Sequence, residues 1–159
     1  MDVVSWMPFW ILMSSVVPGV VIFFLSDRHK GLRTALNMGG VTLKLILIGF
    51  MIAGLVKDQS YLFRLPLLPG MDLVLHADTM SVLIVALSGV LWFVTTLYAI
   101  AYLEDSPQPR SRFFGFFSLC VSATIGIALS GNLITFLIFY ELLTLSTYQI
   151  GRASCRERV

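Results

Sequence analysis

Long uncharged apolar stretches follow one another along this chain, and its charges are gathered into short clusters between them. A run of about 18 or more apolar residues is long enough, as a helix, to cross about 30 Å of hydrocarbon. In lipid the backbone must satisfy its own hydrogen bonds, which an α-helix does within one segment. Composition points the same way: 57% of the 159 residues are hydrophobic and 13% are charged, with a mean hydropathy of +0.88. A water-soluble domain of this length needs a charged surface to hold its core apart from its neighbours. The expected class is an all-α, polytopic membrane bundle of about five transmembrane helices.

The helices are expected at about 4–25, 34–56, 79–103, 113–130 and 133–148. Trp6 and Trp10 suit an interfacial aromatic belt at the start of the first. Pro18-Gly19 inside it predicts a kink that neighbouring helices must compensate. That helix is too long, and lacks the basic start, for a cleaved signal peptide. Asp27-Arg28-His29-Lys30-Gly31-Leu32-Arg33 reads as a polar loop. The segment 57–77, broken by Pro66, Pro69 and Gly70, reads as a β-hairpin or an extended segment on the membrane surface, the hairpin being favoured. Asp78 is a natural N-cap for the third helix, its carboxylate accepting from N–H groups that lack a helical partner. A loop with Pro107 and Pro109 follows that helix, and Gly131-Asn132 reads as a tight turn.

Charge is distributed unevenly. Through Gln149 eight Lys/Arg balance eight Asp/Glu, and the net +2 arises in residues 150–159, with three Arg and one Glu. That segment, IGRASCRERV, translates ATC GGA AGA GCG TCG TGT AGG GAA AGA GTG, which resembles a common short-read sequencing adapter. The adapter's preceding AG fits a CAG codon for Gln149. Residues 1–148 are therefore expected to form an N-terminal transmembrane bundle and 149–159 a non-native tail. The alternative is a short basic cytoplasmic segment. A genuine GRASCRERV in the source DNA would exclude the adapter reading.

Basic residues are too sparse for nucleic-acid binding. Arg28, Lys30, Arg33, Arg110 and Arg112 lie in the loops after the first and third helices, against Lys57 and Arg64 on the other side. This imbalance favours an external N-terminus. Cys120 reads as a small packing residue, and neither it nor Cys155 has neighbours at metal-ligand spacing. There is no glycine-rich phosphate loop or nucleophile triad, so no catalytic, cofactor or metal site is expected.

Small residues at Ser118, Ser122, Gly126 and Ser130 recur every fourth position, a ridge that lets another backbone approach. Ser81, Ser88, Thr95 and Tyr102 recur every seventh and are expected to mark a face turned toward protein.

Two ionisable residues lie deep within apolar helices. Glu141 sits about 12 Å along the fifth, and Lys44 is near the centre of the second. A charge there costs at least roughly 2.5–3.5 kcal/mol on insertion scales and usually serves a proton or ion path facing protein or water. Burial favours a carboxyl's neutral form and a nearby cation its charged form, so moving a cation can load or release a proton. Thr144 and Tyr148 share the face of Glu141 and can orient it or a bound water. The blander alternative makes Glu141 a hydrogen-bonding anchor between helices. Lys44 is a candidate to neutralise an internal carboxylate, Glu141 among them. His29 and His76 read as ordinary loop residues, with His76 a lesser candidate for a surface relay beside Asp78.

The tracts HADTMSVLIVALSGVLWFVTTLYAIAYL, RFFGFFSL and GIALSGNLITFLIFYELLTLSTY resemble the antiporter-like membrane subunits. That family is shared by NADH:quinone oxidoreductase (complex I), membrane-bound hydrogenases and Mrp-type cation/proton antiporters. The resemblance covers about Asp72–Tyr148; it takes in the M, N and L types of complex I and the D and A types of Mrp antiporters, and looks closest to the D or M type, with the Mrp branch nearer. It implies that Glu141 is the family's fifth-helix glutamate, paired in proton transfer with a lysine on a later helix. Asp78 and Ser81 match an Asp-x-x-Ser pattern whose role is structural. The resemblance also implies a parent of about fourteen helices, of which this chain is an N-terminal fragment in a bacterial cytoplasmic membrane. Expected partners are the lipid bilayer, other subunits of a hetero-oligomeric complex, H⁺, and Na⁺ or K⁺. No redox cofactor or bond chemistry is expected. The alternative is a scaffold protein without a conduction path of its own.

Overall fold

The computed structural model describes residues 6–25, 28–59, 61–103 and 110–156. The expected start of the first helix at Val4, the proline loop at 104–109 and the tail residues 157–159 lie outside them. In chain order the elements are α1 (Met7–Phe24), α2 (Lys30–Val56), β1 (Tyr61–Leu68), β2 (Met71–Ala77), α3 (Thr79–Leu103), α4 (Arg110–Ala128) and α5 (Leu133–Arg156). Four helices, α1, α2, α3 and α5, are long and apolar enough to cross a membrane; the apolar part of α4, Arg112–Ala128, is shorter.

The distribution of side chains identifies the solvent. Phe24, Val56 and Leu133 are 86%, 81% and 79% exposed, while Ser15, Lys44, Thr96 and Ser118 are completely buried. In water such an arrangement is costly on both counts, since apolar side chains should be covered and polar ones hydrated. Surrounded by acyl chains it is the favourable arrangement. The chain is a multi-pass membrane protein.

Several expectations are corrected at the helix ends. The polar segment before α2 is not wholly a loop: the helix begins at Lys30, and Arg33 in its first turn tucks inward with its guanidinium 5.6 Å from the Phe114 ring centroid. That cation–π contact and the burial of its stem hold the turn in place. At the other extreme, α5 runs past Tyr148 to Arg156, because no proline interrupts a helix already nucleated. Conversely, α4 stops at Ala128, and Ser130 pairs with Leu75 of the hairpin instead.

Small residues set the helix crossings. α1 continues through Pro18 as one helix, and Gly40 of α2 lies against it: a Cβ there would sit 2.8 Å from Pro18 Cγ and 3.2 Å from the Ser14 carbonyl oxygen. The next residue, Gly19, faces α4, where a Cβ would be 2.9 Å from Ser118 Cβ. Gly126 takes the Phe139 ring of α5. The Ser118/Ser122/Gly126 ridge therefore serves both α1 and α5.

One end of the bundle is closed by the antiparallel hairpin. Its turn has Pro69 followed by Gly70 at φ +88°, the order that a type II turn needs. Tyr61, Phe63, Leu75 and Ala77 point into the bundle, and Phe63 stacks on Phe9 at 5.1 Å. The α4–α5 turn runs along the outer edge of β2. His76 N–H donates to Leu129 O at 2.7 Å, Gly131 N–H to Val74 O at 2.8 Å, and Val74 N–H to Thr135 Oγ1 at 2.9 Å.

Asn132 joins this turn to the hairpin twice. Its Oδ1 accepts the Thr135 N–H at 2.8 Å, capping α5, and its Nδ2 donates to Asp72 O at 2.7 Å. Asn132→Ala removes both bonds and is expected to cost about 1–2 kcal/mol. The check is a lower Tm in detergent together with faster amide exchange in the first turn of α5.

Candidate intramembrane polar site

The buried stripe of α2 is Arg33, Asn37, Val41, Lys44, Ile48 and Met51, spaced three or four residues apart as one helix face requires. Lys44 thus turns away from lipid. Its Nζ lies 3.9 Å from the ring centroid of Trp92 on α3, and among the described residues it has no hydrogen-bond partner. Trp92 is itself 1% exposed, and its indole N–H is also unpartnered there. In its protonated form an amine so placed is attracted by the ring quadrupole of the indole.

α5 presents two distinct faces. Thr135, Phe139 and Ser146 point inward, whereas Leu137, Glu141, Leu145 and Tyr148 are exposed. Thr144 is exposed too, its hydroxyl donating to Tyr140 O at 3.0 Å. Glu141, Thr144 and Tyr148 therefore share a face directed away from the helices of this chain. Lys44 and Glu141 are not brought together: the neighbour of Lys44 is the Trp92 indole, and α5 packs on α4 and β2.

Asp78 begins α3, where its Oδ1 accepts the Ser81 N–H at 2.7 Å. The Ser81 hydroxyl first, and its backbone N–H second, hold the Asp78 carboxyl below its usual value. A group with a depressed folded-state pKa stabilises the fold above its unfolded pKa, and that contribution is lost as pH falls through the folded value. Asp78→Ala is expected to cost about 1 kcal/mol at neutral pH, shrinking toward zero in acid. Paired thermal melts at neutral and acidic pH check both parts.

The seven-residue series on α3 does not mark its most buried face, although two of its members turn toward α4. Thr95 and Tyr102 are exposed and Ser81 and Ser88 half-buried, whereas the buried face is Val82, Val85, Gly89, Trp92, Thr96 and Ala99, one position on. Ser88 and Thr95 instead line a cleft of about 280 Å³ between α3 and α4, together with Cys120 and Thr124; Trp92 forms part of its wall. Sequence reasoning missed Trp92 as the neighbour of the buried lysine, and Thr96 and Asn37 as further buried polar residues. Asn37 carried a signal, lying seven residues before Lys44 on the same helical face.

These features define a multi-pass membrane protein whose ionisable groups are set within lipid-spanning helices. No family model matches the chain. It is 30% identical, over 81% of its length, to the mnhA2 antiporter-subunit candidate of Staphylococcus epidermidis, of which it covers 16%. It is 26% identical, over 86% of its length, to NAD(P)H-quinone oxidoreductase subunit 5 of Huperzia lucidula chloroplasts, of which it covers 20%. It is 34% identical, over half its length, to the Na⁺/H⁺ antiporter subunit A1 of Staphylococcus haemolyticus, of which it covers 10%. Its fold matches a chain of the membrane-bound sulfane sulfur reductase, an archaeal respiratory membrane complex, with TM-score 0.73 and 17% identity over 87% of this chain and 22% of that one. The chain belongs with the antiporter-like membrane subunits. These relatives are of the A and 5 types; the A type is among those the resemblance named, whereas the D or M type expected as closest gains no support.

Proposed function

We propose that this chain is the N-terminal part of a proton-translocating antiporter-like subunit, with Glu141 as one station of the path and Thr144 and Tyr148 orienting it. The observation that carries this reading is the position of Glu141: well inside a lipid-spanning helix, on a face that its own bundle leaves uncovered. A carboxylate against acyl chains costs several kcal/mol and is rarely tolerated there. The chain spans 10–20% of the relatives it matches, so helices of a longer parent are available to cover that face. Protein and water there would supply the cation that loads and releases the proton.

Lys44 is a second charged station, on the far side of the bundle from this face. The relatives favour an A- or 5-type subunit, partnered by other membrane subunits. Five basic positions at the end bearing the α1–α2 and α3–α4 connections, against two at the hairpin end, favour a cytoplasmic location for the first end and an external N-terminus. The proposed setting is a bacterial cytoplasmic membrane.

The test uses energised everted vesicles holding the complete complex and a fluorescent pH probe. Adding Na⁺ or K⁺ is expected to release accumulated protons if the parent is a cation/proton antiporter. Proton uptake driven by quinone reduction marks the respiratory alternative. The absence of both responses, in vesicles that hold a proton gradient, contradicts a conducting role.

A further inference from the structure

We propose that α1–α4 enclose a short column of internal water in the part of the bundle between its apolar hairpin end and the α1–α2 connection, ending at Lys44 Nζ. It lies apart from the Glu141 face and does not depend on that residue carrying protons.

The column is traced by orphaned polar atoms. Seven buried side-chain atoms lack a hydrogen-bond partner among the described residues: Ser15 Oγ, Asn37 Oδ1 and Nδ2, Lys44 Nζ, Trp92 Nε1, Thr96 Oγ1 and Ser118 Oγ. They come from four different helices, yet packing sets them in one half of the bundle. Lys44 stands level with Trp92. One turn toward the basic end, Gly40 meets Pro18, Gly19 meets Ser118, and Thr96 follows Trp92 by four residues. Beyond that, Ile22, Ala99 and Phe114, with Leu36 against them, form a small buried apolar cluster that closes the column toward the basic end, and Arg33 covers Phe114. Arg33 to Lys44 is eleven residues, or about 16 Å of helix rise.

The other half of the bundle is dry. Ile11, Ile48, Met51, Val85, Ile125 and Leu129 join the hairpin's Tyr61, Phe63 and Leu75 in one apolar cluster. Buried polar groups are almost always satisfied, and an orphan points to an unseen partner such as ordered water. Seven orphans confined to one half of a bundle point to a shared one. Both ends of the Asn37 amide are orphaned, and three hydroxyls accompany it, so the lining needs donors and acceptors alike. Water supplies both, whereas an anion would leave the acceptors unsatisfied. Internal waters need two to four polar partners each, which this lining offers.

The test is hydroxyl-radical footprinting of the unmodified protein in membranes, where radicals form from water beside the target. Trp92 and Met51 are 1% and 0% exposed. Trp92 is expected to oxidise at least about fivefold faster than Met51, because bound water adjoins only the indole. Equal or faster oxidation of Met51 overturns the proposal. The second arm uses single cysteines in a background with Cys120→Ser and Cys155→Ser. Aqueous silver ion is expected to label Thr96→Cys and Ser118→Cys at least about tenfold faster than Val85→Cys and Ile125→Cys. Uniform rates contradict it. Neither readout involves proton transport, so failure here is separable from failure of the Glu141 reading.

Discussion

Glu141→Gln is expected to lower proton movement by at least about tenfold, while the protein still accumulates in the membrane. The amide keeps the shape and most hydrogen bonds of the carboxyl but cannot bind and release a proton. Glu141→Asp keeps the titratable group on a shorter stem and is expected to retain part of the activity. Because Glu141 touches none of the buried core of this chain, the stability change should stay within about 0.5 kcal/mol in the isolated bundle. Flux in everted vesicles, normalised to immunoblotted protein, separates these variants. Wild-type flux in the glutamine variant would remove Glu141 from the path.

The second large effect concerns two adjacent glycines with opposite surroundings. Gly40→Leu is expected to prevent the protein from accumulating, whereas Gly39→Leu is tolerated. At Gly40 the new Cβ meets the rigid Pro18 ring and the Ser14 carbonyl, neither of which is the far end of a flexible side chain; at Gly39 it meets nothing within 4 Å. Overpacking typically costs about 1–3 kcal/mol, and displacing backbone from a close helix crossing falls at or above the top of that range. Gly39→Leu also gains helix propensity, roughly 0.8 kcal/mol relative to glycine. Size-exclusion profiles and thermal melts of the two variants in detergent check the contrast. Similar behaviour would mean that α1 and α2 do not cross at Pro18.

The class was legible in the sequence because the bilayer thickness imposes an apolar length on each span, and no soluble core reproduces that regularity. The hairpin was legible from Pro66 and Pro69-Gly70. The seat of the hairpin was not, since its bonds run from Asp72, Val74 and His76 to the α4–α5 turn some 60 residues away. The face of α3 was misread for an instructive reason. Several serine and threonine hydroxyls of α4 and α5 return to the carbonyl four residues back, as Ser122 does to Ser118, Thr124 to Cys120 and Thr147 to Leu143. Because a helix can satisfy a hydroxyl by itself, a run of hydroxyls at seven-residue spacing does not by itself mark the most buried side. Lys44 has no such local acceptor, and its burial in the bundle follows from the cost of its charge. Which group would answer it was not legible: the neighbour is an indole from α3 and not the carboxylate of α5.

Infrared difference spectroscopy of the carboxyl C=O stretch, recorded on the complete complex during proton uptake, tests the role of Glu141 most directly. The wild type is expected to show a protonated-carboxyl band that rises during turnover and is missing in Glu141→Gln. Identical difference spectra in the two proteins would show that this side chain takes up no proton.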